Sequence, residues 1–122
     1  MMQFSNKVAL VTGAGSGIGK ATALLLAKGG ARVAVLSRTA DEIEATRDEI
    51  AEAGGEAMAV TADIADHDTM AAAIDQIIAT WGRLDIVVAN AGINGVWAPI
   101  DELTPDEWNK TMAVNLGGTY LT

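Results

Sequence analysis

Four short apolar runs, each followed by a segment of helical periodicity, limit what this chain can fold into more than any other feature. Residues 8–12, 32–37, 57–61 and 84–89 read as strands that are apolar throughout and rich in β-branched residues. Helical spacing follows each run, over about 17–28, 39–53, 66–81 and from 104 onward, with glycine stops at Gly29-Gly30, Gly54-Gly55 and Gly82. A strand with no polar face must be covered on both sides. Strands that alternate with helices therefore imply a parallel sheet between two helical layers.

Right-handed crossovers turn this order into an α/β, doubly wound parallel sheet of Rossmann type. Ligands of such sheets bind beyond the carboxyl ends of the strands. Thr12, Ser37, Asp63 and Asn90 all fall there. Two helix starts carry the capping-box pattern, Thr39-Ala40-Asp41-Glu42 and Thr104-Pro105-Asp106-Glu107, the second with proline at the first helical position. Met70, Ile74, Ile77, Ile78 and Trp81 share one helical face and read as core.

The whole of 1–122 reads as part of a single domain, and half of its residues are hydrophobic, which argues against disorder. A formal charge of -8 argues against nucleic acid and against anionic membrane surfaces. Any anion site must then come from local dipoles and a few cations. The absence of cysteine excludes disulfides and thiolate metal sites, and no metal centre is expected. No apolar run approaches the roughly 18–20 residues of a membrane span, and residues 1–7 lack a secretory pattern. The expectation is a soluble cytoplasmic protein.

Between the first strand and helix lies Thr12-Gly13-Ala14-Gly15-Ser16-Gly17-Ile18-Gly19. Glycines let the backbone turn sharply and approach a ligand, and a helix N-terminus favours an anion. The common dinucleotide fingerprint fails here, because its third glycine would fall on Ile18 or Lys20. The triphosphate P-loop fails too, with Ala14 at its start and Ala21 in place of the metal-binding hydroxyl. The pattern that fits is T-G-x-x-x-G-x-G, met by Thr12, Gly13, Gly17 and Gly19. With Asp63-Ile64, Asn90-Ala91-Gly92 and Val114-Asn115-Leu116 following in order, the chain from Lys7 to Thr122 resembles the short-chain dehydrogenase/reductase family.

The resemblance implies an NAD(P)-dependent oxidoreductase that moves hydride between nicotinamide and a small carbonyl or alcohol substrate. It implies that Thr12 opens the cofactor-binding motif and Gly13 makes its turn. Ser16, Gly17 and Ile18 would lie against the pyrophosphate, and Gly19 would let the first helix pack on the sheet. Asp63 would accept from the adenine amino group beside Ile64. Asn90 would tie backbone groups together, and Ala91 and Gly92 would pass near the nicotinamide ribose. Asn115 would be catalytic, holding a water in a proton relay.

At the end of the second strand, Ser37 leaves the ribose 2′ side uncharged, and the Arg38 guanidinium can grip a phosphate. NADP is therefore expected ahead of NAD. Blander readings stand beside these. Arg38 could be a solvated residue paired with Asp41 or Glu42, Asp63 could cap a turn before Asp66, and His67 reads as solvated.

The family's catalytic serine and Y-x-x-x-K do not occur. Tyr120 is the only tyrosine, no lysine follows it at that spacing, and Lys110 lies upstream. The chain therefore reads as the N-terminal, cofactor-binding part of such an enzyme, truncated after the fourth strand and its helix and inactive alone. A non-catalytic dinucleotide-binding module is the alternative. Residues 86–88 should form an unpaired apolar edge that favours self-association. A homo-oligomer is expected from the resemblance only, and the substrate is not legible.

Overall fold

The computed structural model describes residues 3–122. The chain runs β1 (Val8–Thr12), α1 (Gly17–Lys28), β2 (Arg32–Ser37), α2 (Ala40–Glu52), β3 (Glu56–Thr61), α3 (His67–Trp81), β4 (Ile86–Val88) and α4 (Pro105–Met112). A π-helical turn over Ala113–Gly117 and a short α5 (Gly118–Leu121) continue α4. The strands form one parallel sheet in the order β3-β2-β1-β4.

The two sides of the sheet bury alternate residues of the same strands, which is why the runs are continuously apolar. Leu10, Ala34 and Leu36 face a core completed by Ile64 and by Met70, Ala73 and Ile77 of α3. Val11, Val33 and Val35 face the opposite core, filled by Ala23 of α1 and by Ile43 and Ile50 of α2.

Several expectations are refined. β3 begins one residue earlier than expected, and β4 is reduced to three residues. β4 pairs only with β1, so it is an edge strand, and Val87 is exposed. On α3 the buried stripe is Met70, Ala73 and Ile77, with Ile74 and Trp81 packed beside it. Ile78 lies about 100° farther round the helix and is 42% exposed.

The two capping boxes part company. At α4 the box closes, with Thr104 Oγ1 accepting from Glu107 N–H at 3.2 Å and Glu107 Oε1 accepting from Thr104 N–H at 2.9 Å. These bonds hold the Glu107 carboxyl below its usual pKa. At α2 the expected box does not form. The Thr39 N–H that Glu42 would cap already donates to Ser37 Oγ at 3.1 Å, and Thr39 makes no side-chain cap bond.

Asp85 ties the start of the sheet together. Its Oδ2 accepts from Val8 N–H at 2.9 Å and from Arg83 Nε at 2.8 Å, and Oδ1 accepts from Arg83 Nη2 at 2.7 Å. The Arg83 bonds first, then the Val8 amide, hold the Asp85 pKa at about 2. A depressed carboxylate pKa adds stability above the unfolded value and loses it as pH falls toward the folded value. Asp85→Asn should therefore lower the urea midpoint near neutral pH, with the gap to the parent closing between pH ~4 and ~2. A gap that persists unchanged at pH ~2 would show that the charge is not what matters.

Candidate functional site

A groove with a cavity volume of ≈ 160 Å³ lies beyond the carboxyl ends of the strands. The glycine-rich loop supplies Gly13, Gly15 and Ser16, and the end of β2 supplies Ser37, Arg38 and Thr39. Asp63 and Ile64 follow β3, while Ala91, Gly92 and Ile93 follow β4. The strand-end residues scattered along the sequence thus converge through the sheet order.

Two helices point their N-termini at this groove, and neither is capped by a side chain. Ser16 precedes α1 and Thr39 precedes α2; both line the groove, and neither makes a side-chain cap bond. By contrast, α3 and α4 are capped by Asp66 and Thr104. The first turn of α1 also contains no acidic residue. Partial positive charge from unmet amides is therefore concentrated on the groove side.

The glycine spacing has a steric cause. Gly13 has φ +63°, and a Cβ there would lie 2.9 Å from Ala91 Cα. A Cβ on Gly19 would run into the Gly13 carbonyl oxygen and sit 2.6 Å from Asn90 Nδ2. The loop, the start of α1 and the end of β4 are thus pressed together, backbone on backbone. Gly17 has φ +55° but open space around it. Gly17 and Ile18 form the first turn of α1, and both are exposed, Ile18 by 78%.

Thr12 is placed differently from the expectation. It is only 1% exposed and does not line the groove. Its hydroxyl accepts from Asn90 N–H at 3.0 Å and Ala91 N–H at 2.9 Å, locking the chain that leaves β4 against the end of β1. Asn90 completes the tie, donating from Nδ2 to Thr12 O at 3.3 Å and Gly13 O at 3.4 Å. Thr12 and Asn90 therefore hold the walls of the groove and do not line it.

Asn115 fastens the loop that follows β4. Its Oδ1 accepts from Ile93 N–H and its Nδ2 donates to Ile93 O, both at 2.7 Å. The side-chain amide is spent on this reciprocal pair, which clamps the loop after β4 to the helix. Gly92 permits the approach, since a Cβ there would lie 3.0 Å from Asn115 Oδ1. Asn115 sits within the π-helical turn, a distortion frequent at functional sites.

Asp63 faces the groove, yet its Oδ1 accepts from Ala65 N–H at 2.9 Å, and Asp66 N–H donates to Asp63 O. Asp63 thus lines the groove and closes the turn before Asp66. Arg38 makes no ion pair with Asp41 or Glu42 among the described residues. Sequence reasoning missed Gly15 and Glu42 as a pair. A Cβ on Gly15 would fall 2.7 Å from Glu42 Cβ, so the start of α2 packs on the loop and brings Glu42 to the groove. No local signal marked it, because residues 39–42 read as an intact capping box.

The short chain dehydrogenase family model matches residues 7–122. The chain belongs to this family. The chain is 42% identical over 118 residues to a cyclohexanol dehydrogenase of Acinetobacter sp. (strain SE19), covering 97% of this chain and 47% of that protein. It therefore spans about half the length of the curated relatives it matches. A solved 3-ketoacyl-ACP reductase from Sinorhizobium meliloti 1021 is 60% identical with a TM-score of 0.92, covering 93% of this chain and 45% of that one. A metagenomic short-chain oxidoreductase in complex with NADP is 41% identical with a TM-score of 0.92, covering 97% and 53%. An NAD+-bound xylitol dehydrogenase is 32% identical with a TM-score of 0.94, covering 98% and 46%. Nicotinamide dinucleotides are thus the cofactors of solved short-chain dehydrogenase neighbours on both sides of the NAD/NADP divide.

Proposed function

We propose that this chain is the cofactor-binding half of an NADP-preferring oxidoreductase acting on a small carbonyl or alcohol substrate. The observation that carries the proposal is the pair of uncapped helix N-termini facing a groove where Gly13 and Gly15 leave no room for a Cβ. Such a cradle suits a pyrophosphate: the charge it offers is local, and the backbone can approach closely. Bound there, the reduced cofactor NADPH would supply the hydride for carbonyl reduction, leaving as NADP+.

The chain's own residues would do the following. Gly13, Ser16, Gly17 and Ile18 would meet the phosphates, with Gly19 setting the helix close enough. Arg38 would take the 2′-phosphate, Asp63 and Ile64 would flank the adenine, and Ala91 and Gly92 would border the nicotinamide ribose. Thr12, Asn90 and the Asn115 clamp would hold these walls in register. The sequence contains no Y-x-x-x-K, and Tyr120 is 86% exposed, so no group here is poised as the proton donor. This chain by itself should bind cofactor without turning over substrate.

The same proposal includes a cytoplasmic location and a homo-oligomer. Among the described residues no helix is long and apolar enough to cross a membrane. Exposed Trp108, Met112, Leu116 and Tyr120, spaced four apart, support self-association.

Titration of the chain with NADPH and NADH, followed by cofactor fluorescence, tests the binding claim. NADPH should bind several-fold tighter than NADH, and Gly17→Asp should abolish both. That variant is clean, because the space is open, aspartate tolerates positive φ, and a carboxylate favours a helix N-terminus. Failure of either cofactor to bind at millimolar concentration would overturn the proposal. Equal binding would overturn the NADP preference alone.

A further inference from the structure

Arg38 belongs to two clefts at once. On one side it lines the groove described above. On the other it lines a second cleft of ≈ 420 Å³, where Lys110 and Thr111 of α4 stand with Glu107 and Ile93. The sequence motifs leave Lys110 without a role.

Charge sets this second cleft apart. The chain carries 8 Lys and Arg against 16 Asp and Glu. Lys20, Arg32, Arg47 and Arg83 are each held by a carboxylate. Among the described residues Arg38 and Lys110 make no such pair, nor do Lys7 and Lys28, although acidic residues outnumber basic ones two to one. Two unpaired cations, one from the end of β2 and one from α4, therefore share a cleft. The carboxylate beside them, Glu107, is committed to the Thr104 amide by the closed capping box. On the groove side of Arg38, by contrast, Glu42 and Asp63 both stand on the lining. A dianion drawn to Arg38 is repelled from that side and attracted toward Lys110.

We propose that Lys110 is the second cation of a phosphate-monoester site whose first cation is Arg38, the ester being the 2′-phosphate of the adenosine ribose. This rests on the NADP reading given above. A phosphate monoester near charge -2 offers three oxygens, so the planar guanidinium takes two and the ammonium takes the remaining one. A single carboxylate ligand would not occupy both cations as fully. Lys110 thereby acts as a specificity-determining residue, favouring a phosphorylated 2′ position.

The test is calorimetric titration of the full chain with 2′-AMP, 5′-AMP and inorganic phosphate. Lys110→Met should weaken 2′-AMP binding about tenfold, leave 5′-AMP binding unchanged, and keep the circular dichroism of the parent. Lys110→Arg should restore most of the 2′-AMP affinity. If Arg38→Met loses 2′-AMP while Lys110→Met does not, Lys110 has no part in the site and the NADP reading stands. If the parent binds 2′-AMP no better than 5′-AMP, or binds neither, the NADP reading falls and this inference with it. If inorganic phosphate binds as tightly as 2′-AMP, the cleft holds only an adventitious ion and the nucleotide assignment is overturned.

Discussion

Gly19→Ala is expected to lower stability by about 2 kcal/mol and to abolish dinucleotide binding, although alanine is the better helix former. Alanine gains about 1 kcal/mol of helix propensity. Against this, its methyl would have to occupy the position of the Gly13 carbonyl oxygen and crowd Asn90 Nδ2. Forcing atoms into a filled site costs about 1–3 kcal/mol, and more where backbone must move. Neither neighbour is free to yield. Gly13 is held at φ +63° with Ala91 behind it, and Asn90 is tied to two carbonyls. Helix α1 must therefore lift from the sheet, taking its uncapped N-terminus away from the groove. A urea titration and an NADPH titration of the same sample check both halves. A variant as stable as the parent with intact NADPH binding would show that the close approach is dispensable.

Thr12→Val is expected to cost about 1–3 kcal/mol, although the two side chains are nearly isosteric and valine favours strands. The cost comes from the Ala91 amide, which loses the hydroxyl that accepts from it, whereas Asn90 N–H keeps Val88 O at 3.0 Å. Each buried donor left without a partner costs about 1–3 kcal/mol. Thr12→Ser, which keeps the oxygen, should recover most of the loss. Thermal or urea unfolding of the three proteins decides the matter. A Thr12→Val loss below about 0.5 kcal/mol, the range of a neutral surface change, would mean that the hydroxyl carries no weight.

These residues also mark where the sequence could be read and where it could not. The sheet and its layers were legible because β1 and β2 are buried on both faces, and the cost of exposing them is written locally as unbroken apolar runs. The strand ends therefore gave the position of the groove. Its fastenings were not legible, because they join residues far apart in the chain. Thr12 serves amides 78 and 79 positions away, and Asn115 grips Ile93 across 22. No local pattern shows that a hydroxyl or an amide is already committed. The same holds for Thr39-Ala40-Asp41-Glu42, which has the residues of a capping box but loses it to Ser37 Oγ two positions upstream.

The π-helical turn at Ala113–Gly117 matters as a change of phase along the rod that begins at Pro105. A regular α-helix advances about 100° per residue, so one residue more or fewer in this turn rotates everything beyond it by that angle. The present phase seats Gly118 against Ile64, where a Cβ would lie 2.6 Å from Cδ1, while Asn115 reaches Ile93. Deleting one residue would give the helix better hydrogen bonding and swing Gly118 away from Ile64. The irregular winding is a clock setting: the less regular helix is the one in which Asn115 reaches Ile93 and Gly118 meets Ile64 together.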